Sequence, residues 1–193
     1  MQPQVSSDET TIILELAKQS LAVPGELVEF GCYRGDTSLL LERLIEQATP
    51  EKRLWLYDSF EGLPAKTAED ASVAGDAFKV GELAVTKREV VERFKKAGLR
   101  VPKIRKGFFE NLNPETDVPK QICFAFLDGD LYRSIKVSFG LIDGRVADGG
   151  VIVVHDYNNP ELPGVTQAVD EWLSAHKKAR LSVRASLAII AIS

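Results

Sequence analysis

Residues 28–38, VEFGCYRGDTS, run from an apolar stretch into two glycines four positions apart and then into a helix start. The segment before them, ELVEF (26–30), reads as a buried strand, and DTSLLLERLIEQA (36–48) as an amphipathic helix begun by Asp36 or Thr37. Gly31 and Gly35 let the backbone turn tightly and come close to a ligand or to a neighbouring strand. The whole reads as strand, glycine turn, helix, with Glu29 placed two residues before the first glycine.

The same alternation extends outward along the chain. TTIILELAKQSL (10–21) places apolar residues at helical spacing and ends at the breaker AVPGE. After the opening unit come a strand RLWLYD (53–58), a helix TKREVVERFKKAG (86–98) with a Thr86 to Glu89 capping box, and a strand KIRKG (103–107). A strongly apolar strand QICFAFLDGD (121–130) precedes the helix LYRSIKVSFGLID, and the strand GGVIVVHDYN (149–158) precedes the helix GVTQAVDEWLSAHKK. ARLSVRAS and LAIIAIS close the chain as an antiparallel hairpin. Strands separated by helices predict an α/β, Rossmann-like doubly wound sheet, mostly parallel, with helices on both faces.

At 193 residues the chain is expected to form a single domain over 1–193, with a leading helix and linker in 1–24 and a polar, glycine-punctuated lid loop in 61–85. Its net charge of -4 disfavours nucleic acid and anionic membranes as partners, and a homo-oligomer is compatible with it. MQPQVSSDETT lacks the basic and apolar regions of a signal peptide, and LAIIAIS is far shorter than a membrane span, so a cytoplasmic location is expected. Cys32 and Cys123 are expected to be buried free thiols.

In an open parallel sheet, ligands bind outside the carboxyl ends of the strands. There the sequence places Glu29 with Gly31 and Gly35, then Asp58, Lys106 with Gly107, Asp128 with Asp130, and His155 with Asp156. Tyr33 stands where a dinucleotide fingerprint needs its middle glycine, which argues against a nicotinamide oxidoreductase. Glu29 would repel phosphate and attract an ammonium or sulfonium group, and Asp58 is placed to accept hydrogen bonds from ribose hydroxyls. S-adenosylmethionine is an adenosine with such a cationic, phosphate-free tail. Tyr33, Thr37 and Ser38 on the turn and helix start, Ser59 beside Asp58, and Gly107 with Phe108 near the adenine complete the expected cofactor set, together with Asp128. Asp130, directly before a helix, reads as an N-cap, and His176 as a helix-end side chain.

VEFGCYRGDTS, LWLYDSFEGLP, KGFFEN, FAFLDGDLYRSIKVS, GGVIVVHDYN and GVTQAVDEW together resemble the macrocin O-methyltransferase (TylF) family of class I S-adenosylmethionine-dependent enzymes, roughly over residues 25–175. The resemblance implies seven strands with the last antiparallel, and methyl transfer to a hydroxyl of a small-molecule acceptor, often on a sugar of a natural product. It also implies a divalent cation, usually Mg2+, on Asp128 and Asp156. The position before Asp156, usually a second acid in that family, is His155 here. Imidazole in place of carboxylate shifts preference toward softer ions such as Mn2+. His155 is expected either as a third metal ligand or, with Asp128, as a catalytic proton acceptor. The rival readings are a catechol-type O-methyltransferase and a non-catalytic domain that keeps the cofactor.

Overall fold

The computed structural model describes residues 4–73, 75 and 77–193. In chain order the elements are helix α1 (Ser7–Ser20), strand β1 (Glu26–Phe30), α2 (Asp36–Ala48), β2 (Leu54–Asp58), α3 (Lys87–Lys96) and β3 (Lys103–Lys106). They continue with the single turn α4 (Pro114–Asp117), β4 (Ile122–Leu127), α5 (Tyr132–Ile142), β5 (Val146–Val154), α6 (Pro163–Ala175), β6 (Arg180–Arg184) and β7 (Leu187–Ala191). Among the described residues these seven strands form one sheet in the order β3-β2-β1-β4-β5-β7-β6. Only β7 runs against the others, pairing antiparallel with both β5 and β6. The doubly wound sheet with an antiparallel last strand is as expected.

Two apolar layers hold the sheet. Ile13 and Ala17 of α1, Leu41 and Ile45 of α2, and Val90 and Phe94 of α3 pack on one face with Leu27, Leu56 and Phe124. Ile135 and Phe139 of α5 and Val165 and Val169 of α6 pack on the other with Val28, Phe30 and Ala125. Every residue of β4 is buried, which is why its sequence shows an apolar run rather than alternation. Strand order reverses between β1 and β4, so the crevice that binds ligands in such sheets opens at their carboxyl ends. Both cysteines are free and buried. No described helix is long and apolar enough to cross a membrane.

Three local readings change. The first helix begins at Ser7 rather than at 10, because Ser6 caps it: its hydroxyl accepts from Glu9 N while the Glu9 carboxylate accepts from Ser6 N. The strand read from 149 begins at Val146, since Gly149 and Gly150 lie inside it. A Cβ on Gly150 would come within 2.8 Å of Ala147 O, beside a register shift against β4. Third, α5 is capped from across the molecule: Asp70 Oδ1 accepts from Tyr132 N at 2.7 Å, and the cap position is Leu131 rather than Asp130.

Asp70 belongs to a one-turn 3-10 helix (Ala68–Asp70) within the segment read as a lid. That segment is stitched to itself, with Leu63 N donating to Glu82 O at 2.8 Å and Gly81 N to Leu63 O at 3.0 Å. Residues 74 and 76 of the expected lid lie outside the described residues.

Candidate active site

The turn between β1 and α2 carries three residues in the left-handed region, Gly31 (φ 87°), Tyr33 (φ 44°) and Gly35 (φ 78°). Gly31 is there for packing as well as for conformation, since a Cβ would fall 1.9 Å from the Asp128 carbonyl oxygen. Its absence brings the ends of β1 and β4 together. Asp58, at the end of β2, ties the turn in place. Its Oδ2 accepts from Cys32 N at 3.0 Å and Tyr33 N at 2.9 Å, and its Oδ1 accepts from Phe60 N at 2.8 Å. A carboxylate offers about four lone-pair sites, so Asp58 keeps acceptor capacity for a ligand.

Above these strand ends lies a cavity of about 600 Å3, within the size range of small-molecule sites. Glu29, Gly31, Tyr33, Thr37, Asp58, Ser59, Phe108, Asp128, His155 and Asp156 all line it, as their positions at the strand ends require. Gly35, Ser38 and Gly107 stand behind the lining. Gly35 is the N-cap of α2, Ser38 is fully buried beneath it, and Gly107 donates its N–H to Asp58 O at 2.9 Å. The end of the cavity near Phe108 and Phe109 is apolar, with Leu63, Pro64, Phe78 and Leu83 contributed by the 61–85 segment.

Glu29 is 1% exposed, and its Oε2 has no hydrogen-bond partner. Burial pushes its carboxyl up to about 8, against the nearby Ser38 hydroxyl and helped by the charges of Asp128 and Asp58. The ready negative charge expected there is therefore a protonated carboxyl near neutral pH, which a cationic ligand would ionise. A buried acceptor without a partner is costly, and a ligand donor would relieve it.

The other end of the cavity holds an acid–imidazole–acid cluster. His155 Nδ1 lies 2.9 Å from Asp128 Oδ1 and 3.1 Å from Asp156 Oδ2. The backbone fixes the ring's origin, because His155 N donates to Leu127 O at 3.0 Å where β5 runs beside β4. Asn159 Nδ2 donates to Asp156 Oδ1 at 2.8 Å. Burial alone would lower the affinity of His155 for a proton. Asp128 and Asp156 outweigh it and hold the ring charged, up to about 12. One nitrogen and two carboxylate oxygens all lie within 4.8 Å of one another, a spacing that a single divalent ion spans. Asp130 faces the same cavity at φ 59°; burial, then the charges of Asp128 and Asp156, hold its carboxyl well above the usual range.

Sequence reading missed the contribution of α1. Gln4, Val5, Ser7 and Thr10 line the acidic end of the cavity, and Glu9 Oε2 approaches His155 Nε2 to 3.6 Å. The Ser6 to Glu9 capping box was visible, but nothing local says what the helix covers. His176, by contrast, stacks on Trp172 at 3.8 Å and reaches Asp143, away from the cavity.

The profile of the family described as macrocin-O-methyltransferase (TylF) matches residues 11–183. The chain is 31% identical over 141 residues to the 8-demethyl-8-(2,3-dimethoxy-alpha-L-rhamnosyl)-tetracenomycin-C 4'-O-methyltransferase of Streptomyces olivaceus, covering 70% of this chain and 54% of that protein. It is 31% identical over 158 residues to the demethyldecarbamoylnovobiocin O-methyltransferase of Streptomyces niveus, covering 78% and 58%. The chain thus spans little more than half the length of these relatives. Among solved structures, the O-methyltransferase NovP matches with a TM-score of 0.82 at 25% identity, over 95% of this chain and 79% of that one. A calicheamicin methyltransferase matches with a TM-score of 0.77 at 24% identity over 97% and 80%, a likeness of fold.

Proposed function

The chain belongs to the macrocin O-methyltransferase (TylF) family, and on that premise we propose that it transfers the methyl group of S-adenosylmethionine to a hydroxyl of a sugar or glycosylated small molecule. The observation that carries this reading is one cavity holding an apolar end, the buried Glu29 carboxyl with its Oε2 unpaired, and the Asp128–His155–Asp156 cluster. In that arrangement Glu29 receives the cofactor's ammonium, Asp58 and Ser59 the ribose hydroxyls, and Phe108 the adenine, with Gly31, Tyr33 and Thr37 forming the wall between them. The relatives methylate, by their names, a rhamnosylated tetracenomycin and a novobiocin precursor. Adjacent hydroxyls on a sugar offer the pair of oxygens that such a cluster is suited to orient.

The donor set fits a divalent cation that accepts mixed nitrogen and oxygen ligands, Mg2+ or the softer Mn2+, once the proton on His155 Nδ1 is released. When bound by Asp128, His155 and Asp156, such an ion supplies Lewis acidity to the acceptor oxygens. In the transfer itself, an acceptor oxygen forms a bond to the methyl carbon as the carbon–sulfur bond breaks. The electron pair of the broken bond would go to sulfur, leaving a neutral thioether. Holding the two reactants in line in an enclosed cavity supplies much of the rate.

The hydroxyl proton needs a carboxylate. His155 lacks a free Nδ1 lone pair either as a cation between two acids or as a ligand, so its role is to hold the cluster rather than to take the proton. Asp128 is engaged by His155. We assign proton acceptance to Asp128, of which only Oδ1 is engaged by that ring, and orientation of the cluster to His155.

Calorimetric titration of metal-stripped protein with S-adenosylhomocysteine, repeated with Mg2+ and with Mn2+, tests the reading against an NADH control. Micromolar binding of S-adenosylhomocysteine and none of NADH is expected. No binding of S-adenosylhomocysteine under any condition would sink it.

A further inference from the structure

Glu9 is a charged side chain that the reaction outlined above leaves unused, yet it is only 8% exposed. A buried carboxylate is costly unless it is well partnered. Its Oε2 accepts from Ser6 N at 3.1 Å and Ser6 Oγ at 2.6 Å, and its Oε1 accepts from Ser186 Oγ at 2.5 Å. Ser186 lies in the turn between β6 and β7, so this one carboxylate is clamped between the start of the chain and its final hairpin. Burial raises its proton affinity, but the bonds from Ser186 and Ser6 and the nearby His155 outweigh it, and the group is held ionised down to about 2.

A capping box needs only an exposed glutamate, as Glu89 on α3 shows. Glu9 is buried because α1 lays its first turn over the end of β5, where His155 stands. The ring of His155 presents Nδ1 to Asp128 and Asp156, and Nε2 to Glu9 Oε2 at 3.6 Å, an ion-pair distance. A carboxylate on one side of an imidazole keeps the proton on that nitrogen and leaves the other free to ligate, the arrangement that metal-binding histidines usually have.

We propose that Glu9 is a positioning residue, which faces Nε2 of His155 and keeps the ring turned with Nδ1 toward the Asp128–Asp156 pair, so that the docking of α1 completes the cluster. This rests on the metal-assisted reading given above. It goes further in making the first turn of the N-terminal helix part of the site's ligand shell. The clamp also explains why α1 lines the acidic end of the cavity rather than only the sheet face.

The test compares wild type, Glu9→Ala and Glu9→Gln. Mn2+ affinity is followed through the electron paramagnetic resonance signal of the free ion, and the orientation of the His155 ring by nuclear Overhauser contacts of its ring protons with and without Mg2+. The chain has two histidines, so a His176→Asn background assigns the signals. Glu9→Ala is expected to weaken Mn2+ binding about 10- to 100-fold and to alter the ring contacts, while S-adenosylhomocysteine affinity is unchanged. Glu9→Gln, which keeps an acceptor oxygen, is expected to recover most of both. A folded Glu9→Ala protein with Mn2+ affinity within twofold of wild type, or with its His155 ring contacts unaltered, overturns the proposal. If wild type binds S-adenosylhomocysteine but no divalent ion, the metal reading fails instead. The ring contacts of the metal-free proteins then judge Glu9 alone: contacts altered in Glu9→Ala and restored in Glu9→Gln uphold its positioning role, and unaltered contacts end it.

Discussion

The two ends of the cavity are built in opposite ways. The cofactor end is built mostly from contiguous chain: β1, the 31–35 turn and α2, with Asp58 of the next strand tying the turn by two backbone hydrogen bonds. The acidic end is assembled from the exits of β4 and β5, the first turn of α1 and the β6–β7 turn, segments up to 177 positions apart. The first can form as soon as one strand–turn–helix unit docks. The second exists only when both termini are in place. Changes at the cofactor end should therefore show in cofactor affinity and stability, and changes at the acidic end in turnover.

The largest expected effect breaks the acidic end. Asp128→Asn should lower turnover by roughly a thousandfold, as loss of proton or charge handling at a reacting group does, with S-adenosylhomocysteine affinity within about threefold of wild type. Steady-state kinetics and calorimetry on one preparation check both. Equal loss of both quantities would mean that the two ends are not separable. Next comes Asp58→Ala, which removes the tie as well as a ligand contact. It should cost about 2–4 kcal/mol of stability from unsatisfied backbone donors and about a hundredfold in cofactor affinity. A denaturation curve matching wild type would show that the turn holds itself.

Glu29→Gln sharpens the comparison through pH. With its carboxyl raised from 4.5 to about 8 in the folded protein, Glu29 stays protonated there while the unfolded chain releases its proton. The native state thus binds more protons between those values, and stability falls as pH rises across the window, by at most about 1.4 kcal/mol per pH unit. Below the window both states are protonated, and above it both are ionised, so the slope ends. Glu29→Gln should flatten it while lowering cofactor affinity about tenfold, one buried charge contact's worth. Thermal melts at three pH values decide, and an identical slope in both proteins would rule out Glu29 as its source. The smallest effect is expected at a half-exposed ion pair. Asp36→Ala, which removes the half-exposed pair with Arg93, should change stability by less than about 1 kcal/mol and leave cofactor affinity within twofold, as isothermal chemical denaturation and calorimetry would show.

Legibility followed the same division. The strand exits that carry Glu29, Asp58, Asp128 and His155 could be read directly, because a parallel sheet sends all its carboxyl ends to one edge. Asp130 was misread as a helix cap because its neighbour's true cap, Asp70, arrives from 62 positions earlier in the chain. Gly31 was read as room for a ligand or for a neighbouring strand, and the backbone of Asp128 fills the second role.

What the sequence by itself determined is the alternation of strands and helices, and hence the sheet, its reactive edge and the residues delivered to it; periodicity and glycine placement are local and need no knowledge of distant partners. The tertiary structure alone decided that His155 stands between two acids, that the Glu29 carboxyl is buried, and that Glu9 packs against His155. Those properties depend on burial and on charges brought together from remote segments, and neither is written in the spacing of residues along the chain.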